Sequence, residues 1–202
     1  MLDILDRKIR QMHEALGQLQ NSDISSVKSE EERTGTRYYC RVDFSGGKSD
    51  AELANVATLL VANIACIKDH LKSWCKSADR LFEGDALIDS DINVAIVHDL
   101  WNIDKHAELD MAPRSGCIPK IKDLHQSLRL STGKQAHSIS PDDMYIQTGL
   151  RLVGSGSATL AISGSVVDEN GKIPCDFSDI CEKAVVSWEK ALLRAGVPIP
   201  SH

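Results

Sequence analysis

After Pro113 and Pro119 the hydrophobic pattern of this chain changes period, and that switch restricts the fold more than any single motif does. Before it, apolar residues recur every three to four positions, as on a helix face; after it they alternate, as on a strand. Helices grouped first and strands grouped later predict an α+β domain, a helical group of three long helices packed beside a small antiparallel meander, with a C-terminal helix. A chain of 202 residues is expected to make a single domain spanning 1–202. Its segment 1–110 should be mainly helical with one strand at 36–44, and 120–202 should hold the antiparallel strands and the closing helix.

The first helix carries the clearest signal, because Leu2, Leu5, Ile9, Met12, Leu16 and Leu19 follow steps of three and four residues. This seam should pack along another long helix, and it is the expected surface for a protein partner or for a homo-oligomer. Asn21-Ser22-Asp23 stops the helix, and the charged stretch Ser29 to Thr36 is expected as a loop. Tyr38, Tyr39, Val42 and Phe44 then read as a strand closed by a Gly46-Gly47 turn. Ser49-Asp50-Ala51-Glu52 has the form of a capping box opening a helix to about Ser77. The seam of that helix runs through Leu53, Val56, Leu60, Asn63, Ile67, His70 and Trp74. Ser90-Asp91 caps a third helix to about Asp110, with Ile92, Ile96, Leu100, Ile103 and Ala107 along one face. Strands are expected over Leu124–Ser131, Met144–Val153 and Ala158–Val167, and a last helix over Ser178–Ala195, stopped by Gly196 and Pro198. The run Gly154-Ser155-Gly156-Ser157 joins two strands and lacks the Gly-Lys-Ser/Thr ending of a phosphate loop, so it reads as a hairpin.

A net charge of -6 removes the long-range attraction to polyanions, which disfavours duplex DNA as a partner. The longest apolar run, Ala57 to Cys66, is broken by Thr58 and Asn63, and no basic segment followed by an apolar stretch opens the chain, so no membrane span is expected. Six cysteines without a Cys-x-x-Cys pair fit reduced thiols in a cytoplasmic protein. No cofactor is expected. Trp74, Trp101 and Trp188 fall within helices and read as core or interface anchors, and no serine sits in Gly-x-Ser-x-Gly.

Two polar runs interrupt otherwise apolar helices: Asn63 to His70, and Asn102 to His106. Burying such groups costs energy unless they satisfy one another or serve a ligand. One reading pairs His106 with Asp69, or His70 with Asp104, to fix a helix crossing. The other makes His70, His106 and Lys105 catalytic candidates, imidazoles for proton transfer beside an ammonium for developing charge. Asn63, Asp69, Asn102 and Asp104 are then the ligand-binding candidates. A metal site is not expected, because His98 and His106 stand eight residues apart, too far to chelate one ion directly.

These residues carry a resemblance. Asn63, Asp69 and His70 match an Asn-Leu-Arg-Ser-Ala-Leu-Asp-His type motif, and Asn102, Asp104, Lys105 and His106 match Asn-x-Asp-Lys-His-Arg. Both belong to a large, poorly characterised family of bacterial and phage-encoded proteins, which the chain resembles over about Leu2 to Leu109. Ala65 and Ala107 stand where that pattern has arginine, the side chain best suited to grip phosphate. A looser similarity is to HEPN-type helical bundles, whose ribonuclease members use an Arg-x4-6-His motif; Arg7-x5-His13 has that spacing. The leading expectation is therefore a non-enzymatic protein-interaction module. The alternative that the resemblance implies is a HEPN-like hydrolase, ribonuclease or nucleotide-binding protein in phage defence or counter-defence. That alternative takes a small nucleotide or RNA, with Lys105 on phosphate and Asn102 orienting.

Overall fold

The computed structural model describes residues 2–18, 20–21, 28–34, 37–43, 48–106, 111–132, 144–147, 151–154, 156–168 and 175–198. Its helices are α1 (Leu2–Gln18), α2 (Asp50–Ser77), α3 (Gly84–Ser90), α4 (Ile92–His106) and α5 (Phe177–Ala195). Its strands are β1 (Gln20–Asn21), β2 (Lys28–Thr34), β3 (Arg37–Asp43), β4 (Lys120–Thr132), β5 (Met144–Gln147), β6 (Arg151–Gly154), β7 (Gly156–Val167) and β8 (Cys175–Asp176). Helices beside a small antiparallel sheet, closed by a C-terminal helix, make this an α+β fold.

The central element is α2. The expected capping box starts it: the Ser49 amide donates to Glu52 at 2.7 Å and the Glu52 amide donates to Ser49 Oγ at 3.3 Å. The helix buries Leu53, Ala57, Leu60, Val61, Ile64, Ile67 and Leu71, and it packs against α1, α4 and α5. By length and composition α2 is apolar enough to cross a membrane; 39% of its most apolar stretch is buried, and it packs against α1, α4, α5 and β4. On α1, Leu5, Ile9 and Met12 are buried in that contact. The middle of the seam expected to meet a partner is thus covered within the chain, because α2 offers it a complementary apolar face; Leu19 lies outside the described residues. What α1 leaves outside is Leu2 and Ile4, each 45% exposed.

Local signals account for most helix ends. Asp91 Oδ1 accepts the amides of Asn93 at 2.9 Å and Val94 at 3.3 Å, capping α4, while its Oδ2 accepts Ser187 Oγ of α5 at 2.6 Å. Asp176 caps α5 through the Asp179 amide, and Gly196, at φ 81, ends it in a Schellman turn with the Val197 amide on the Leu192 carbonyl at 2.9 Å. The single apolar face expected on α4 needs correction. Val94, Ala95, Ile96 and Val97 are all buried, so the first half of α4 is enclosed on every side, whereas Ile92 is 56% exposed. Ala107 and Asp110 lie outside the described residues.

The sheet has β7 in its middle. β4 pairs along one edge of β7, from Lys120 opposite Val167 to Thr132 opposite Gly156, and β1 and β8 pair along the other. A bulge interrupts the β4 register between Lys122 and His125, where Asp123 adopts φ 52. Gly164 lies against it, and a Cβ there would stand 2.9 Å from Leu124 Cδ2. Two strand expectations change. Met144–Val153 is a hairpin of β5 and β6 rather than one strand. The stretch expected as a loop at 29–36 supplies β2, which pairs with β3 in a register that sets Glu30 opposite Arg41. The backbone ladder offsets the poor strand propensity of Lys28–Thr34. Phe44 and the Gly46-Gly47 turn lie outside the described residues, as does Ser155 of the Gly154–Ser157 run. One core joins the inner faces of α1, α2, α4 and α5 to Ile162 and Val166 of β7.

Candidate functional site

The two polar runs lie on α2 and at the C-terminal end of α4, where α4 leaves the core. Asn63 and His70 are half-buried and Asp69 is exposed; Asn102 is half-buried, and Asp104, Lys105 and His106 are exposed. Among the described residues no hydrogen bond or ion pair joins either His106 with Asp69 or His70 with Asp104. The expected inter-helix pair is therefore corrected. Side chains at 104–106 project past the enclosed half of α4, so water satisfies them and no partner is required.

The runs do meet electrostatically around Cys66. Burial pushes the Cys66 thiol up, Asp69 adds to that, and the charges of Lys8 and Lys105 oppose it. A thiol held protonated is a poor nucleophile. Burial also pushes His70 below its ordinary value, helped by Lys8 and Arg7 and opposed by Asp69, so its imidazole is neutral at pH 7. Asn102 is engaged within its own helix, its side-chain amide hydrogen-bonded with His98 Nδ1 at 3.1 Å. Arg7 lies near His70, but His13 of the Arg7-x5-His13 pair sits 3.4 Å from Glu189 of α5. The described residues hold no cluster of three or more His, Cys, Asp or Glu able to bind a metal ion.

Three features have no counterpart in the sequence reading. Lys68, inside the first run, pairs with Asp85 of α3 at 2.9 Å, and Arg114 bridges Asp85 at 3.7 Å and Asp89 at 2.8 Å. Asp99, 2% exposed, accepts the Ser115 amide at 2.8 Å and Ser115 Oγ at 2.7 Å. Burial pushes the Asp99 carboxyl up, but His98 and the Ser115 donors outweigh it and hold the group below its ordinary value. The third is a groove of about 340 Å³ between α2, α4 and β4, floored by Val61, Leu100, Ile103 and Ile121 with Asp104 and Lys120 beside them. Asp104 is the one candidate from the polar runs that lines it. Leu100 and Ile103 stood on the expected apolar stripe of α4, the local hint of this groove, since its other walls come from distant segments.

No protein-family model matches the chain, and neither a curated protein nor a solved structure matches it.

Proposed function

We propose that this protein is a non-enzymatic module of the cytoplasm that holds a segment of a partner protein in the groove between α2, α4 and β4. The supporting observation is an apolar lining left open to solvent in a chain whose α1 seam is already covered along its middle. β4 stands at the edge of its sheet among the described strands, so an extended segment gains backbone hydrogen bonds as well as side-chain burial. Asp104 and Lys120, opposite in sign, give that segment a preferred direction. The acidic net charge disfavours nucleic acid in the same place.

Short displayed peptides selected on the wild type and on Ile103→Asp test this reading. Apolar, extended sequences are expected to enrich on the wild type, with affinity lowered on the order of tenfold or more on the variant, as for loss of a central apolar anchor. No enrichment, or equal enrichment on both proteins, overturns it. A second reading rests on one observation, the positive charge that Arg7, Lys8 and Lys105 place around Cys66 and the neutral His70. In it the protein is a HEPN-like hydrolase acting on RNA or a nucleotide in phage defence or counter-defence. His70 and His106 move protons, Lys105 neutralises phosphate and Asn102 orients the substrate. Cleavage of single-stranded RNA by the wild type and not by His70→Ala would replace the first reading with this one.

A further inference from the structure

On the far side of α2 from its N-terminus, the ends of α2 and α5 and the start of α3 enclose a cleft of about 670 Å³. That volume is within the range of small-molecule sites. Its apolar floor is lined by Leu71, Cys75, Ala191 and Ala195, and two guanidinium groups, Arg80 and Arg194, line it as well. Neither guanidinium joins an ion pair or a hydrogen bond among the described residues, although Asp79 and Glu83 share the same lining.

Arg80 is also held in place. Asp79, at φ 50, ends α2 in a Schellman turn in which the Arg80 amide donates to the Cys75 carbonyl at 2.9 Å. The Arg80 guanidinium carbon lies 5.9 Å from the centre of the Trp74 ring, a cation–π contact that orients the planar fork. Gly196 admits it on the other side, since a Cβ at that position would stand 2.7 Å from Arg80 Nη1. Arg194, in the last turn of α5, complements the negative end of that helix, as Arg80 does from across the cleft. Such charge interactions use few of the five donors each guanidinium carries. The rest remain for a ligand.

We propose that this cleft binds a small organic oxyanion, its carboxylate or phosphate on Arg80 and Arg194 and its compact apolar part on the floor around Ala191. Arginine forks match both oxyanions in a bidentate manner. The surface lies apart from the groove of the proposed function, so the two stand or fall separately.

Anilinonaphthalene sulfonate, an aromatic anion that brightens in apolar sites, is the probe. With the intact chain we expect one bound equivalent, displaced by phenyl phosphate or by phenylacetate; which competitor acts at lower concentration tells phosphate from carboxylate. Arg80→Gln and Arg194→Gln change exposed side chains and should keep the wild-type melting temperature while each weakens the probe about tenfold. Ala191→Phe, which fills the hollow, should abolish binding. Absence of probe binding overturns the proposal, as do probe binding that neither competitor displaces and probe binding unaltered in the Arg80→Gln/Arg194→Gln double variant.

Discussion

His70 stands half-buried on α2, and burial, with the nearby charges of Lys8 and Arg7, keeps its imidazole below the ordinary value near 6.5. The unfolded chain lacks those surroundings and binds the proton more readily. Stability linked to His70 is therefore fully present above pH 6.5 and is lost as the pH falls from there through the lower folded value. Urea unfolding of the wild type between pH 7.5 and 5 should show midpoints that decline toward the acid end, and His70→Gln should flatten that decline. An undiminished slope in the variant would assign the effect to other groups. The carboxyls of Asp91 and Asp99 are also lowered, burial opposing and hydrogen bonds prevailing, but their contribution is lost only below their ordinary value of 3.8, outside this window. The polar character of position 70 on an apolar seam is visible in the sequence; the burial that lowers it and the two cations from α1 that add to the effect are not, because only the α1–α2 packing brings them there.

At the scale of elements, what a few neighbouring residues decide was legible and what distant pairing decides was not. Ser49 with Glu52, Asp91, Asp176 and Gly196 announce helix ends through their own chemistry, and each end appears where those residues stand. β2 is different: its seven residues Lys28–Thr34 carry no alternating apolar face, and only pairing with β3 makes them a strand. α3, seven residues long, is too short to show a period. The seam of α1 was read correctly as helical and as needing a partner, but that partner is α2. This makes Ile9→Glu informative, since Ile9 is fully buried. A carboxylate there has no counter-charge within the core, and the expected cost is on the order of 3–5 kcal/mol. Circular dichroism melting should show a strongly lowered transition with no change between discrete oligomers in light scattering. A variant that melts like the wild type while an oligomer becomes a monomer would restore α1 as an association surface.

For the whole molecule, the question is what makes the helical group and the sheet one cooperative body. Apolar packing does part of it, since Ile162 and Val166 of β7 share a core with the helices. The connection from α4 into β4 is pinned by a polar device, the buried Asp99 carboxylate taking both donors of Ser115. No local pattern marks this pair, sixteen residues apart and bridging an irregular segment, so the sequence shows a period change at Pro113 and Pro119 without showing what fastens the two halves. Asp99→Ala leaves the Ser115 amide without its acceptor in a half-buried loop, a loss of about 2 kcal/mol for a charge-assisted hydrogen-bonded pair. In a chain of this size that lowers the melting temperature by roughly 4–8 °C. Because the link spans both halves, calorimetry of the variant should show a single transition that coincides with loss of the far-ultraviolet helix signal. Two separated transitions would mean that the helical group holds by itself, and that the sheet is attached to it mainly through this one carboxylate.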